Sequence, residues 1–206
     1  MSMRVTSAEN YIEKRNSIAY DYIDLFETMG FQIILVPNNT IHVNEYFKDD
    51  IDLVVLIGGN NVNPKLYQSD CSLSDVFSER DDMEKTLLEM AIKNDIPLFG
   101  ICRGFQFINV YFGGKISHNI SGHVNKEHVL NSPLMILDNQ ITNSFHNQGI
   151  ALNDLSERLQ SIAENSNYVE AFKHSTLKIL GVQWHPERQM KIFDQELINN
   201  FIGGKL

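Results

Sequence analysis

The sequence predicts an α/β fold with a mostly parallel central sheet, helices on both faces and added antiparallel strands. Three observations support this. Strand-like apolar runs alternate with helical patterns through the first half of the chain. Residues 53–57 form an unbroken, largely β-branched run, which is typical of a central parallel strand covered on both faces. A second apolar run at 96–101 leads through a glycine-flanked turn into a helix, so the strand–helix order recurs.

The individual elements of the first half follow from spacing and stop signals. Apolar residues recur at helical spacing within 17–29, and Gly30 ends that helix. Ser78 and the acidic residues after it begin a second helix, whose early charges (Arg80, Asp81 and Glu84) read as ordinary helix-start charges. In chain order we expect a strand at 4–8, a helix at 17–29, strands at 31–36 and 53–57, a helix at 78–94, a strand at 96–101 and a helix at 104–112.

The chain changes character after Lys115. Short β-like runs replace the long alternating pattern, and they predict the added antiparallel strands. A helix is expected last. The runs lie at 129–130, 134–137, 169–172 and 179–184, and the helix at 190–202.

Bulk properties predict one domain over residues 1–206 and restrict its partners. The net charge of -9 argues against nucleic acid and anionic membranes. The absence of a leader or membrane-spanning pattern, with thiols at Cys71 and Cys102, favours a cytoplasmic location. We expect no cofactor and no metal site. The histidines outside the motifs described below are expected to be solvated or in loops: His42, His118, His123, His128 and His174.

A nucleophile elbow is predicted around Cys102. The cysteine follows a strand, is flanked two residues away by Gly100 and Gly104, and precedes a helix. Such a turn leaves little room for neighbouring side chains, and it places the sulfur at a helix N-terminus, which favours the thiolate. The alternative is a buried structural cysteine.

A base and its orienting group are predicted at the end of the 179–184 strand. His185 and Glu187 are two residues apart in an extended segment, so their side chains point to the same side. With Cys102 they form a nucleophile, a base and a group that orients the base. His146 is the competing candidate for the base.

Backbone donors for a developing oxyanion are predicted at two turns. Gly58 and Gly59 follow a buried strand, which indicates either a simple tight turn or an oxyanion hole. The donors would be the amide of Gly59 or its neighbour and the amide of Arg103. Gln106 lies one helical turn after Cys102, where it would either bind substrate or act as a capping or solvent-facing residue.

These blocks resemble the class I glutamine amidotransferase-like superfamily, and most closely its γ-glutamyl hydrolase branch, which includes γ-glutamyl-γ-aminobutyrate hydrolases. The resemblance implies a flavodoxin-like fold. The chain is shorter than those hydrolases and is similar to compact relatives that remove a glutamyl group from a nucleotide-linked intermediate in bacterial surface-polysaccharide pathways. The matching blocks are 58–67, 80–84, 96–114 and 181–187, with a weaker one at 143–149.

The resemblance implies a cysteine-dependent hydrolase of γ-glutamyl amides. Cys102 would be acylated, His185 would protonate the departing amine, and Glu187 would orient His185. Gly59 and Arg103 match the oxyanion positions. The residues implied to hold the glutamyl group are Gln106, Ser144, His146 and Asn147.

Three functions stay open at this point. The first is a stand-alone hydrolase, monomeric or homodimeric, acting on a small γ-glutamyl substrate. The second is a glutaminase subunit that supplies ammonia to a separate synthase. The third is a non-catalytic binding protein, against which the complete triad argues. The leaving amine would be recognised by loops at 11–15, 62–75 and 118–128.

Overall fold

Eleven strands, four α-helices and three short 3-10 helices make up the secondary structure of the computed structural model, which describes residues 1–48 and 50–206. The strands are β1 (Arg4–Ser7), β2 (Lys14–Ser17), β3 (Val54–Leu56), β4 (Leu98–Ile101), β5 (Ser117–His118), β6 (Val124–Val129), β7 (Ile141–Phe145), β8 (Gln148–Ala151), β9 (Leu159–Asn165), β10 (Tyr168–His174) and β11 (Ile179–Val182). The helices are α1 (Tyr20–Thr28), α2 (Ser78–Lys93), α3 (Arg103–Tyr111) and α4 (Ile192–Ile202).

The central sheet has seven strands and mixed topology. Strands β3, β4 and β11 are parallel neighbours, with Gly100 of β4 opposite Gly181 of β11. Strand β10 lies antiparallel to β11, and β8, β9 and β5 continue the antiparallel part. The α/β class and the added antiparallel strands are confirmed. Parallel pairing, expected through most of the sheet, is confined to three strands.

Helices cover both faces of this sheet, as predicted. Helices α2 and α3 pack on the face that carries Leu56, whereas α1 and α4 pack on the face that carries Val55 and Ile57. Successive residues of a strand point to opposite faces, so a strand covered on both sides must be apolar throughout. The carboxyl ends of β3, β4 and β11 therefore lie side by side at one edge, where ligands bind in open α/β sheets.

Three predicted strands differ from the structure. Residues 31–36 form no strand: the Phe31 amide donates to the Phe26 carbonyl, and the backbone of Ile34 and Val36 bonds to Met1 rather than to a neighbouring strand. Residues 134–137 form a turn in which the Leu137 amide donates to the Leu134 carbonyl. Strand β1 pairs with β2 in a separate hairpin rather than in the central sheet. Within the described ranges, no helix combines the length and the apolar character needed to span a bilayer.

Candidate active site

Cys102 occupies a strained turn between β4 and α3. Its backbone has φ 51° and ψ −100°, outside the conformations that side chains ordinarily allow, and its amide donates to the Val182 carbonyl at 2.8 Å. A Cβ on Gly104 would lie 2.1 Å from the Leu56 oxygen, and one on Gly100 would lie 2.5 Å from a side-chain carbon of Ile108. The turn is therefore possible only with glycine at both positions, and the predicted strand–turn–helix geometry is present.

His185 and Glu187 follow β11 and face the same turn. The His185 Nδ1 donates to the Glu187 Oε1 at 2.5 Å, and both side chains are buried. A Cβ added to Gly58 would lie 3.3 Å from the His185 Cε1 and 3.5 Å from the Cys102 Cβ. The imidazole and the cysteine side chain thus border the same small space, and the structure brings the three predicted catalytic residues together.

The charge state of His185 follows from its neighbours. Burial lowers the pKa of His185, but the negative charges and hydrogen-bonding groups of Cys102 and Glu187 outweigh it and raise the pKa to about 10. The imidazole is therefore protonated at neutral pH and can give a proton to a departing group.

Tyr22 of α1 is a site residue that the sequence did not indicate. Its hydroxyl accepts a hydrogen bond from the Gly58 amide at 3.0 Å. Burial, together with the nearby charges of Glu187 and Cys102, raises the pKa of Tyr22 well above its usual range. In the sequence Tyr22 is one of several apolar residues at helical spacing, and no pattern separates it from the core.

The Gly58 amide already donates to the Tyr22 hydroxyl, so it is not free to donate to an oxyanion. Among the described residues, the amides of Gly59 and Arg103 have no hydrogen-bond acceptor. Asn60, the next residue, has φ 58° and tolerates this left-handed conformation, while its side chain bonds both backbone groups of Val5. The second predicted donor is thus available at Gly59.

Buried charges hold the 58–59 turn against the elbow. Arg80 donates to the carbonyls of Ile57 at 2.7 Å and Gly58 at 3.1 Å, and to that of Gly59. Its Nε donates to Glu84 at 2.9 Å. The same Glu84 also binds Arg103.

Asp81 completes this buried charge network by pairing with Arg103. Burial raises the pKa of Asp81 to about 6, with the charge of Arg103 opposing that rise. The expectation of ordinary helix-start charges at Arg80, Asp81 and Glu84 is wrong. These side chains are buried because together they join the start of α2, the 58–59 turn and the start of α3.

Asn143 of β7 fixes the backbone of His185. Its Nδ2 donates to the His185 carbonyl at 2.8 Å, and its Oδ1 accepts from the His185 amide at 2.9 Å. This paired contact sets the direction in which the His185 side chain leaves the chain. Asn143 belongs to the weakest of the recognised sequence blocks, and its role was not predicted.

Gln106 is buried rather than solvent-facing or capping. Its Nε2 donates to the Gln148 carbonyl and to the Gln183 Oε1, both at 3.1 Å. The side chain is therefore held in one orientation on the first turn of α3, which begins at the elbow. Its contact with a substrate stays a prediction.

The predicted binding segment at 144–147 is directed partly inward. The Ser144 hydroxyl donates to the His123 carbonyl at 2.5 Å, and the His146 Nδ1 donates to the Gln148 carbonyl at 2.8 Å. Asn147 is exposed. The structure therefore puts His185, not His146, beside Cys102. Substrate contacts of Ser144, His146 and Asn147 stay predictions.

His123, His128, His146 and Glu170 form a second buried group, the histidine cluster. One nitrogen of each imidazole and one Glu170 oxygen all lie within 4.8 Å of one another, a donor set that could hold a metal ion. Burial, with the charge of His128, lowers the pKa of His123 to about 4. Burial is also the main cause that lowers the pKa of His146 to about 3. Both imidazoles are therefore neutral at physiological pH.

Three of the histidines expected to be solvated or in loops are buried: His123, His128 and His174. His123 does lie in a loop, whereas His128 and His174 lie in strands. Two of them, His123 and His128, face Glu170 of β10 from the first strand of the separate β6–β7 hairpin and the residue before it. His174 packs against the Phe112 ring, and its Nδ1 accepts from the amides of Thr176 and Leu177. These contacts are long-range or local to a turn, and no sequence pattern indicated them.

A cavity of about 370 Å³ adjoins the imidazole–carboxylate pair. Two exposed arginines, Arg4 and Arg188, line it together with Asp21. The Arg4 side chain lies over Gly59, with its Cδ 3.1 Å from where a Cβ would stand, and the Arg188 guanidinium lies 4.0 Å from the Phe145 ring centre. Neither arginine forms an ion pair with a described residue, so both can bind an anionic group.

Comparison with known proteins gives concordant similarities. The family model described as peptidase C26 matches residues 1–187. A gamma-glutamyl-CDP-amidate hydrolase of Campylobacter jejuni is 35% identical over 191 residues, covering 92% of this chain and 89% of that protein. A glutamine amidotransferase-like protein, YvdE, of Lactococcus lactis is 30% identical and covers 93% and 91%. A solved structure of a GMP synthase subunit from Thermoplasma acidophilum has a TM-score of 0.65 at 22% identity, covering 89% and 86%.

Proposed function

Because the chain belongs to the peptidase C26 family, within the class I glutamine amidotransferase-like proteins, we propose that it hydrolyses a γ-glutamyl amide to glutamate and an amine. One observation carries the proposal: the strained elbow holds Cys102 beside an imidazole that is hydrogen-bonded to a carboxylate. That arrangement is the constellation of nucleophile, base and orienting group used in acyl transfer.

The first half of the reaction acylates the enzyme. The Cys102 thiolate attacks the γ-carbonyl carbon, a C–S bond forms, and the carbonyl electron pair moves to the oxygen. The amides of Gly59 and Arg103 donate to that oxyanion, and each such donor stabilises the transition state by about 3–4 kcal/mol. His185 then protonates the amide nitrogen, the C–N bond breaks, and the amine leaves.

The second half releases glutamate. His185, now neutral, takes a proton from water while the water oxygen attacks the thioester carbon. The C–S bond breaks, glutamate leaves, and the thiolate and imidazolium return. Glu187 orients the imidazole and stabilises its positive charge through the 2.5 Å hydrogen bond.

The glutamyl group is bound beside the elbow by Gln106 and the 144–147 segment. Gln106 lies one helical turn after Cys102, and its two hydrogen bonds hold its side chain in place. This fixed orientation supports a contact that positions the glutamyl group. Asn147 is the exposed member of the segment and offers its side chain to the substrate. Ser144 and His146 support the segment from the interior.

The leaving amine carries an anionic group. Arg4 and Arg188 line the cavity next to His185 without carboxylate partners among the described residues, so they favour a negatively charged occupant. The Campylobacter relative is named for a γ-glutamyl-CDP-amidate, in which the amine is a phosphoramidate. A γ-glutamyl phosphoramidate is therefore the proposed substrate class.

Glutamate release from a substrate panel tests the proposal. The panel contains free glutamine, a γ-glutamyl amino acid, γ-glutamyl-γ-aminobutyrate and γ-glutamyl phosphoramidates, with Cys102→Ala as the blank. We expect the phosphoramidate to have the highest kcat/KM. Arg4→Ala and Arg188→Ala should each raise its KM by about 10- to 100-fold, since a hydrogen bond to a charged group contributes about 1.5–3 kcal/mol, while glutamine turnover changes little.

A glutaminase subunit that feeds a separate synthase is the second candidate. The Thermoplasma neighbour, named as a GMP synthase subunit, has the same fold. Turnover of glutamine alone, or turnover only after a cell extract is added, would favour this candidate. No glutamate release from any substrate under either condition would contradict both.

A further inference from the structure

The histidine cluster is assembled from separate parts of the fold. His123 precedes β6, His128 lies in β6, His146 lies between β7 and β8, and Glu170 lies in β10. The side chains are at most 7% exposed, and that of Glu170 is fully buried. The β6–β7 hairpin pairs with no strand of the central sheet, so this cluster is a direct connection between the two.

Five polar atoms of the cluster lack hydrogen-bond partners among the described residues. They are the Nδ1 atoms of His123 and His128, the Nε2 atom of His146 and both carboxylate oxygens of Glu170. The His128 Nδ1 lies 3.3 Å from the Glu170 Oε1 yet is not aligned for a hydrogen bond. Buried polar atoms are nearly always satisfied, so five that converge on one point indicate a bound species.

The remaining ring nitrogens set the tautomers. The His146 Nδ1 donates to the Gln148 carbonyl at 2.8 Å, and the His128 Nε2 donates to the Gly122 carbonyl at 3.3 Å. Each proton is thereby held on the outer nitrogen, and the lone pair of the inner nitrogen faces the cluster. Metal-binding histidines are ordinarily fixed in this way by carbonyl or carboxylate acceptors.

We propose that His123, His128, His146 and Glu170 bind one transition-metal dication, with Zn²⁺ as the fitting ion. Three imidazoles and a carboxylate suit its preference for nitrogen and oxygen ligands. Tetrahedral ligands at about 2.0–2.1 Å from Zn²⁺ lie roughly 3.3–3.4 Å apart. The three ring nitrogens lie 3.3, 3.7 and 3.9 Å from the Glu170 Oε1, so small side-chain movements complete the site.

The site is structural rather than hydrolytic. Four protein ligands fill a tetrahedral ion, and their burial leaves no open position for water or substrate. The ion fastens the β6–β7 hairpin to β10. It also acts on the elbow indirectly, because the Gln148 carbonyl that orients His146 is also bound by Gln106. A metal bound here would be contrary to the expectation from sequence of no metal site.

Metal content and cobalt substitution test the site, whatever reaction the protein catalyses. The full chain is purified with a histidine-free tag, stripped with a chelator, incubated with Zn²⁺ or Co²⁺ and separated from free metal. We expect about one Zn²⁺ per chain and the intense visible bands of tetrahedral Co²⁺. His128→Ala and Glu170→Gln should bind Zn²⁺ at least about 10-fold more weakly. The matched control His118→Ala, outside the cluster, should bind like the wild type.

Two results would overturn the proposal. The first is a folded wild-type chain that retains no Zn²⁺ and gives no tetrahedral Co²⁺ spectrum, which would make the cluster a hydrated histidine–glutamate group. The second is unchanged binding in folded His128→Ala and Glu170→Gln, which would assign the ion to other ligands. Circular dichroism checks each variant, and the wild-type cobalt spectrum decides the question if a variant does not fold.

Discussion

Two buried histidine–glutamate contacts in this fold differ in what they do to the imidazole. His185 has its own carboxylate, Glu187, at 2.5 Å in a hydrogen bond, and its pKa rises to about 10. Glu170 instead faces three imidazoles, with the His128 Nδ1 at 3.3 Å; burial lowers the pKa of His146 to about 3, whereas Glu170 raises the pKa of His128. One carboxylate for each imidazole gives a charged pair suited to proton transfer. One carboxylate shared by three imidazoles leaves both of its oxygens and three ring nitrogens without a hydrogen-bond partner among the described residues, an arrangement suited to an ion.

The largest effect should come from removing the nucleophile beside the charged pair. Cys102→Ala should reduce glutamate release by at least about 10³-fold and leave the fold intact, because the elbow cysteine does little packing. Cys71→Ala is the matched control and should keep near wild-type activity, since Cys71 is a free thiol outside the triad. Steady-state kinetics with circular dichroism measure both. Retained activity in Cys102→Ala would remove this residue from the mechanism.

Substituting one histidine in each of the two buried sites distinguishes a loss of catalysis from a loss of stability. His185→Ala should lower kcat by about 10³-fold or more, with Tm near that of the wild type. His146→Ala should lower Tm in the presence of Zn²⁺ by roughly 4–8 °C, the shift expected for about 2 kcal/mol in a chain of this size, with a smaller loss of kcat. Thermal unfolding and steady-state kinetics on the same samples measure the two effects. A raised KM with unchanged metal content in His146→Ala would instead make His146 a substrate contact.

Weakening only the carboxylate of the charged pair should have an intermediate effect. Glu187→Gln should lose about 10²-fold in kcat/KM and stay measurably above Cys102→Ala. The Glu187 charge helps raise the pKa of His185, which must be protonated to act as the acid. Activity should therefore fall as pH rises through about 10 in the wild type, and at lower pH in the variant. An unshifted basic limb in the pH profile of kcat/KM would exclude Glu187 from setting this pKa.

The smallest effect should follow from loosening the backbone that carries His185. Asn143→Ala removes two hydrogen bonds to His185 and should lower kcat by about 10-fold, with KM nearly unchanged. Asn199→Ala, on the exposed side of α4, is the matched control and should have no effect. Equal kcat values for the two variants would show that the Asn143 hydrogen bonds do not position the His185 imidazole.

Features that depend on neighbouring residues could be predicted from the sequence. The elbow needs glycine two residues before and after Cys102, because Leu56 and Ile108 leave no room for a Cβ. The pair of His185 and Glu187 depends only on the alternation of an extended segment. Both features are visible in a window of a few residues, and the strand and helix order that brings them to one sheet edge follows from hydrophobic periodicity.

Features that depend on long-range contacts could not be predicted. Arg80 and Glu84 look like surface charges of a helix start until the fold closes the 58–59 turn over them. Tyr22 looks like any core residue of an amphipathic helix. The histidine cluster has no motif, because its members come from a hairpin, a turn and a strand that meet only in the folded chain.

Mass spectrometry of acid-quenched enzyme during turnover of a γ-glutamyl phosphoramidate tests the covalent intermediate at Cys102 directly. The proposed cysteine mechanism predicts a glutamyl thioester on the peptide that contains Cys102, with none on the Cys71 peptide and none in Cys102→Ala. Turnover without any adduct at Cys102, or an adduct on a different residue, would contradict the proposed cysteine mechanism.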